Sequence, residues 1–143
     1  MIIQEMKKEH TDEVFQMMKV FYSSPAVSTN GSDEIFMSDI QNCINDNPHL
    51  EGYVFVEQDK IMGYAMAAKS FSTEFGKPCI WIEDIYIKPE YRGKGIGSQF
   101  LVYIEQKYRD SILRLEVEED NTAAVHVYKK SGFDVLPYME MKK

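Results

Sequence analysis

The sequence predicts an α/β domain built on a mixed sheet, and three observations point to it. Segments with the two-residue period of strands alternate with segments of helical period. The strongest strand, CIWIEDIYIKP (79–89), runs into a glycine-rich turn and then a helical pattern, the layout of a strand–helix–strand crossover. The composition of the 143 residues, 44% hydrophobic and 13% aromatic, supplies one sizeable core and argues against disorder. With no repeat, linker or low-complexity segment, residues 1–143 read as a single domain.

The elements follow in order. Residues 2–7 form a short candidate strand. Thr11 is placed to cap a helix running to about Tyr22, with Val14, Met17, Met18 and Phe21 on one face. SSPAVSTNG (23–31) is a loop. Ser32 caps a second helix, whose apolar side is Ile35, Phe36, Ile40, Cys43 and Ile44; NPH (47–49) ends it. GYVFVEQ and IMGYAMAAKS flank Asp59-Lys60 as a hairpin, and FSTEFGKP (71–78) is a second loop. Pro89 stops the strong strand. FLVYIEQKY then reads as a helix and SILRLEVEE as a strand. NTAAVHVYKKSG is a short helix with Asn121 at its cap and Gly132 at its end, and FDVLPYMEMKK closes the chain as a last strand. About four helices thus flank the sheet, and residues 79–117 form a parallel, right-handed crossover. Met17, Met18, Met62 and Met66 are expected in the core.

Charge and cysteine content narrow the function. The net charge is −7, which repels nucleic acid and anionic membranes and mildly favours a cationic partner such as an amine. Cys43 and Cys79 are far apart and lack metal-ligand spacing, so they are expected as unpaired thiols in a reducing compartment, with no metal. MIIQEMKKEH has no long apolar run, so neither a signal peptide nor a membrane span is expected, and a cytoplasmic location follows.

The stretch YRGKGIGSQF (91–100) carries the chemistry. Its glycines lie between strand and helix, where free N–H groups and the positive end of the helix dipole both favour an anion. Glycine lets a ligand approach the backbone, and Arg92 and Lys94 add positive charge. The spacing is neither the G-x-x-x-x-G-K-[ST] of a mononucleotide loop nor a G-x-G-x-x-G in a first crossover. On the glycines alone, a plain strand-to-helix turn stays open.

RGKGIG matches [RQ]-x-x-G-x-[GA], the pyrophosphate loop of the GCN5-related N-acetyltransferase superfamily. WIEDIYIKPEYRGKGIGSQFL resembles that family's central strand, loop and helix, and EVEEDNTAAVHVYKKSGF its next strand and helix; the likeness is specific over about 79–133. It implies the acyl-CoA N-acyltransferase fold and transfer of an acetyl group from acetyl-CoA to an amine. It further implies that the amides of Gly93, Lys94, Gly95, Ile96, Gly97 and Ser98, with Arg92, hold the CoA pyrophosphate. The backbone of Ile85, Tyr86 and Ile87 would pair with the pantetheine arm at a bulge or splay, with Asn121 and Ala124 against the cofactor.

Tyr128 is the first catalytic candidate. The resemblance puts it near the cofactor's sulfur, where a protonated phenol can act as acid to the departing thiolate. Asn121 lies seven residues earlier, on the same helix face. On the residues alone, Asn121 could also be a simple cap, and Tyr128 reads first as a core aromatic beside Val125. His126 leaves that helix about 200° from Tyr128 and is expected elsewhere. Glu83 is the second candidate, as the base that takes the amine's proton: a carboxylate in an apolar strand has a raised pKa. Strand alternation groups Glu83 with Trp81, Ile85 and Ile87, and Asp84 with Ile82 and Tyr86, although a bulge changes which carboxylate reaches the cleft.

The motifs look most like diamine and polyamine acetyltransferases, which place acidic residues about the amine. Glu83 and Glu116 are the corresponding acids, with Glu118 on the face of Glu116, and Tyr22, Glu74 and Asp84 are further substrate-contact candidates. That subfamily also carries an acid near the end of the first helix, where this chain reads FYSSPAV. The expected substrate is a small primary amine such as a polyamine or amino acid. A protein N-terminus or lysine is the alternative, and a CoA-binding module without turnover a third. Relatives often pair, so the exposed edge of the last strand is the expected contact of a homodimer.

Overall fold

The computed structural model describes residues 1–28 and 31–143. Five strands lie side by side in chain order: β1 (Ile2–Glu5), β2 (Leu50–Glu57), β3 (Lys60–Ser72), β4 (Lys77–Ile87) and β5 (Ile112–Leu115). The first four pair antiparallel, and β4 pairs parallel with β5. The parallel step needs a crossover, and α3 (Ile96–Lys107) supplies it. The other helices are α1 (Thr11–Tyr22), α2 (Asp33–Ile44) and α4 (Thr122–Lys130).

Two cores sandwich the sheet. On one face, Val14, Met17 and Met18 of α1 and Phe36 and Ile40 of α2 pack against Val54, Tyr64, Met66 and Tyr86. On the other, Ile96, Phe100, Leu101 and Ile104 of α3 cover Tyr53, Phe55, Met62, Ala65, Ala67, Ile80 and Ile82, and α4 adds Val127 and Tyr128. The four methionines read as core fillers are all buried. Cys79 is buried, Cys43 is partly so, and neither is paired.

Caps follow the sequence with one exception. The Ser32 side chain accepts from the Ile35 amide (3.2 Å) and that of Asn121 from the Ala124 amide (3.3 Å). Gly132 ends α4 with φ +96. Thr11 does not cap α1: a 3-10 turn over Lys8–His10 precedes it, and its hydroxyl turns back to donate to the Lys8 carbonyl at 2.7 Å.

Three strand boundaries differ from expectation. The 71–78 loop is only residues 73–76, because Phe71↔Pro78 and Ser72↔Lys77 still pair. β5 stops at Leu115 rather than continuing through 119, because its last partner on β4 is Ile82. The expected closing strand is absent, and residues 133–143 carry no strand or helix. Pro137 removes a ladder donor midway along that run, and β5 offers an edge of only four residues. Of the 23–31 loop, residues 29 and 30 lie outside the described residues.

Candidate active site

The site begins with one extra residue. Met66 pairs with Asp84 while Ala67 pairs with Ile82, so Glu83 is a bulge on β4. The bulge inverts the alternation. Ile80 and Ile82 face α3, whereas Asp84 and Tyr86 face α1 and α2. The expectation that Asp84 shares a face with Ile82 is therefore overturned: an inserted residue shifts the side-chain phase by one.

Pairing then splits. β4 stays paired with β3 as far as Gly63↔Ile87, but its pairing with β5 ends at Ile82↔Leu115. From Glu83 onward, the β4 edge facing β5 has no strand partner among the described residues, and a cleft of about 630 Å³ opens there. Its walls include Glu83, Ile85, Tyr86 and Ile87 from β4, Leu115 and Glu116 after the split, and Asn121, Ala124, Val127 and Tyr128 from α4. Its far end is formed by Arg92, Gly93, Gly95, Ile96, Gly97 and Ser98.

That end is built for an anion. Gly93 (φ +75) and Gly95 (φ +78) hold left-handed backbone, which glycine adopts without strain. Gly95 is the N-cap of α3, with no side-chain cap and no acidic residue in the first turn. A helix leaves its first four N–H groups without internal partners, so here they face the cleft rather than a capping side chain. A Cβ at Gly93 would meet nothing within 4 Å, and at Gly95 only Gln99 Nε2 at 4.0 Å. The protein's own packing therefore leaves open the space in front of these amides. Arg92 is held beside it, its Nε donating to the Ile87 carbonyl (2.8 Å) and its guanidinium over the Tyr86 ring. Lys94 lies over Tyr91 and is not part of the cleft wall.

Carboxylates line the opposite end. Glu83 is raised above its ordinary pKa by loss of water, then by the charges of Asp84, Glu140 and Asp39. Glu116 is pushed up to about 7, first by a hydrogen bond with Glu140, then by burial and the charges of Glu140 and Glu83. Tyr128, T-shaped against Phe133, is pushed up to about 12 by burial, so its phenol stays protonated throughout the neutral range.

Other candidates lie off the cleft wall. Asp84 is 3% exposed and accepts from the phenols of Tyr22 and Tyr64, both at 2.7 Å. Burial raises its pKa, against the pull of the two phenols. Tyr22 is committed to that bond, and neither residue touches the cleft. Glu74, in the β3–β4 turn, accepts from Tyr138 instead. His126 is exposed. The sequence did not point to Glu140, which belonged to the expected last strand, nor to Tyr64, an ordinary core tyrosine until its phenol is seen on Asp84. Among the described residues no group of three His, Cys, Asp or Glu is arranged to hold a metal, and no helix is long and apolar enough to cross a membrane.

Known proteins resemble this chain at two levels. Over 83 residues it is 43% identical to the thialysine N-epsilon-acetyltransferase of Bos taurus, a match that covers 56% of this chain and 48% of that protein. The chain spans about half the length of the curated relatives it matches. Its fold superposes on a possible acetyltransferase from Clostridium difficile 630 with a TM-score of 0.82 at 20% identity, covering 99% of this chain and 95% of the other. It also superposes on aminoglycoside N-acetyltransferase AAC(6')-Iy, solved in complex with CoA, with a TM-score of 0.80 at 16% identity and coverage of 99% and 93%. The family model of the acetyltransferase (GNAT) family matches residues 11–133, and with the split sheet and glycine-capped helix this establishes that the chain belongs to that family.

Proposed function

We propose that this protein is an acetyl-CoA-dependent N-acetyltransferase acting on a small primary amine. The observation that carries the reading is continuity: one cleft joins the unpaired β4 edge, the open amides of α3 and two carboxylates. The residues present fit CoA, because glycines leave room at the helix terminus and the strand split leaves backbone groups free along the cleft. When bound, acetyl-CoA supplies a thioester activated toward nitrogen nucleophiles.

The chain's own groups do the rest. Amides from Gly93 to Ser98, with the Arg92 side chain beside them, bind the pyrophosphate. The backbone of Ile85, Tyr86 and Ile87 binds the amide-bearing arm, and Asn121 and Ala124 flank it. Glu83 takes the proton from the acceptor nitrogen, and its raised pKa makes it a better base than an ordinary carboxylate. Glu116 faces the same nitrogen and favours a cationic acceptor. Tyr128 gives its phenolic proton to the departing sulfur, a donation that a pKa of about 12 keeps available at neutral pH. Asp84, bound by Tyr22 and Tyr64, fixes the segment next to the Glu83 bulge.

A small amine is favoured by relatives named for thialysine and for spermine/spermidine acetylation, while one named as an N-alpha-acetyltransferase keeps a protein N-terminus as the alternative. Tyr22, engaged with Asp84, does not reach the cleft, so it does not supply a polyamine contact there. We place the protein in the cytoplasm, away from nucleic acid, on its charge of −7 and its free thiols. The one-sided edge of β5 and exposed Val135, Met139 and Met141 would suit a homodimer, which light scattering tests. The test of function is release of free thiol from acetyl-CoA against amino acids, diamines, aminoglycosides and N-terminal or lysine peptides. Turnover with a small amine above all peptides is expected. Binding of CoA without thiol release for any acceptor would refute the enzyme reading, and preference for a peptide would move the function to protein acetylation.

A further inference from the structure

Trp81 of β4 and Arg114 of β5 are paired in register, just before the Ile82↔Leu115 pair at which the two strands part. Ile80, Ile82, Leu113 and Leu115 belong to the core beneath α3, so alternation turns Trp81 and Arg114 to the opposite face, where both are partly exposed. Glu83 and Glu116 lie two residues farther along the chain from Trp81 and Arg114, and both line the cleft.

The Arg114 side chain is held in place yet unpaired. Its guanidinium lies over the Trp81 ring at 4.6 Å and over the Phe75 ring at 5.9 Å. Among the described residues it makes no ion pair, and Glu74, next to Phe75, accepts from Tyr138. Stacking on a ring fixes the plane of a guanidinium and leaves its in-plane donors free, the fork that grips a carboxylate through two parallel bonds. Two residues of extended chain, from Arg114 to Glu116, span about 7 Å. A carboxylate held at Arg114 therefore delivers an amine to Glu116 and Glu83 when a side chain of lysine's length lies between them. An α-amine, one carbon from the carboxylate, does not reach.

We propose that Arg114 binds the carboxylate of the acceptor, so that the preferred acceptor is a free amino acid acetylated on its side-chain amine. The inference rests on the acetyltransferase reading above and narrows its small amine to one that also carries a carboxylate. In the transfer, the side-chain nitrogen bonds to the acetyl carbon and gives its proton to Glu83, while the departing sulfur takes a proton from Tyr128.

The test compares L-lysine, lysinamide and cadaverine on wild type, Arg114→Gln and Arg114→Lys. Lysinamide keeps the length and both amines but lacks the carboxylate, and it also stands in for a lysine within a peptide. Two quantities are read: kcat/KM for each acceptor, and the Kd of each for CoA-saturated protein by calorimetry. Wild type is expected to favour lysine over lysinamide by about 10- to 100-fold, as a charge-assisted contact does, with the product acetylated on the side-chain nitrogen by NMR. Arg114→Gln is expected to erase that preference through KM rather than kcat, and Arg114→Lys to restore part of it. An Arg114 that only packs on Trp81 would instead lower all three acceptors alike. Equal use of lysine and lysinamide by wild type overturns the proposal, as does a preference that survives in Arg114→Gln. Wild type inactive on every acceptor would refute the acetyltransferase reading, while the Kd values still judge Arg114: tighter lysine supports its role and equal values overturn it.

Discussion

Replacing Gly95 with alanine separates the backbone's need for glycine from the ligand's. In the free protein the new methyl group has room, since its nearest neighbour would be Gln99 Nε2 at 4.0 Å. The cost to stability is then only that of holding alanine at φ +78, about 1–2 kcal/mol, or a fall in Tm of about 2–8 °C. Gly76→Ala is the matched control, with φ +64, open space and a position in the β3–β4 turn. Strain present with and without ligand cancels from an affinity, so any extra loss reports the cradle itself. One displaced charge-assisted amide–phosphate bond, about 1.5–3 kcal/mol, predicts 10- to 150-fold weaker CoA binding. Calorimetric titration of CoA into the three proteins measures it. The reasoning fails if Gly95→Ala and Gly76→Ala lose similar stability and both keep wild-type affinity, because the pyrophosphate would then bind elsewhere.

Three further perturbations probe other parts of the account. Tyr128→Phe keeps the ring against Phe133 and removes the proton donor; CoA affinity should hold while kcat falls about 10- to 100-fold, by single-turnover kinetics. Tyr64→Phe leaves buried Asp84 with one phenol in place of two and should cost about 1–3 kcal/mol by urea denaturation, with the loss shrinking in an Asp84→Asn background. Glu51 opposes its own burial with hydrogen bonds from Tyr108, Tyr53 and Lys69 and the charge of Lys107, which together lower its pKa to about 2. A folded pKa below the unfolded value gives stability that is present above the ordinary carboxyl range and lost as pH falls through the folded value. Wild type should therefore lose Tm between about pH 4.5 and 2 more steeply than Glu51→Gln, by scanning calorimetry in acid.

The residues that could be read in advance were those whose role is local. Ser32 and Asn121 cap because a side-chain oxygen reaches an amide three residues on, and RGKGIG announces its turn because left-handed backbone calls for glycine. What stayed hidden depends on pairing between distant segments. Glu83 looks like an ordinary strand position until Met66 and Ala67 of β3 skip it, and only that skip sends Asp84 to Tyr22 and Tyr64 and leaves Glu83 at the cleft. FDVLPYMEMKK alternates like a strand, yet a ladder needs a long partner edge and unbroken N–H donors, and β5 is only four residues long while Pro137 removes a donor within the segment itself.

The central claim is that the β4–β5 split and the α3 terminus form one CoA cleft, and a crystal structure with CoA bound tests it most directly. The account predicts pyrophosphate oxygens within hydrogen-bond distance of amides between Gly93 and Ser98, the pantetheine arm along Ile85–Ile87, and the sulfur beside the Tyr128 hydroxyl. CoA bound outside that cleft, or with its sulfur remote from Tyr128 and Glu83, would contradict it.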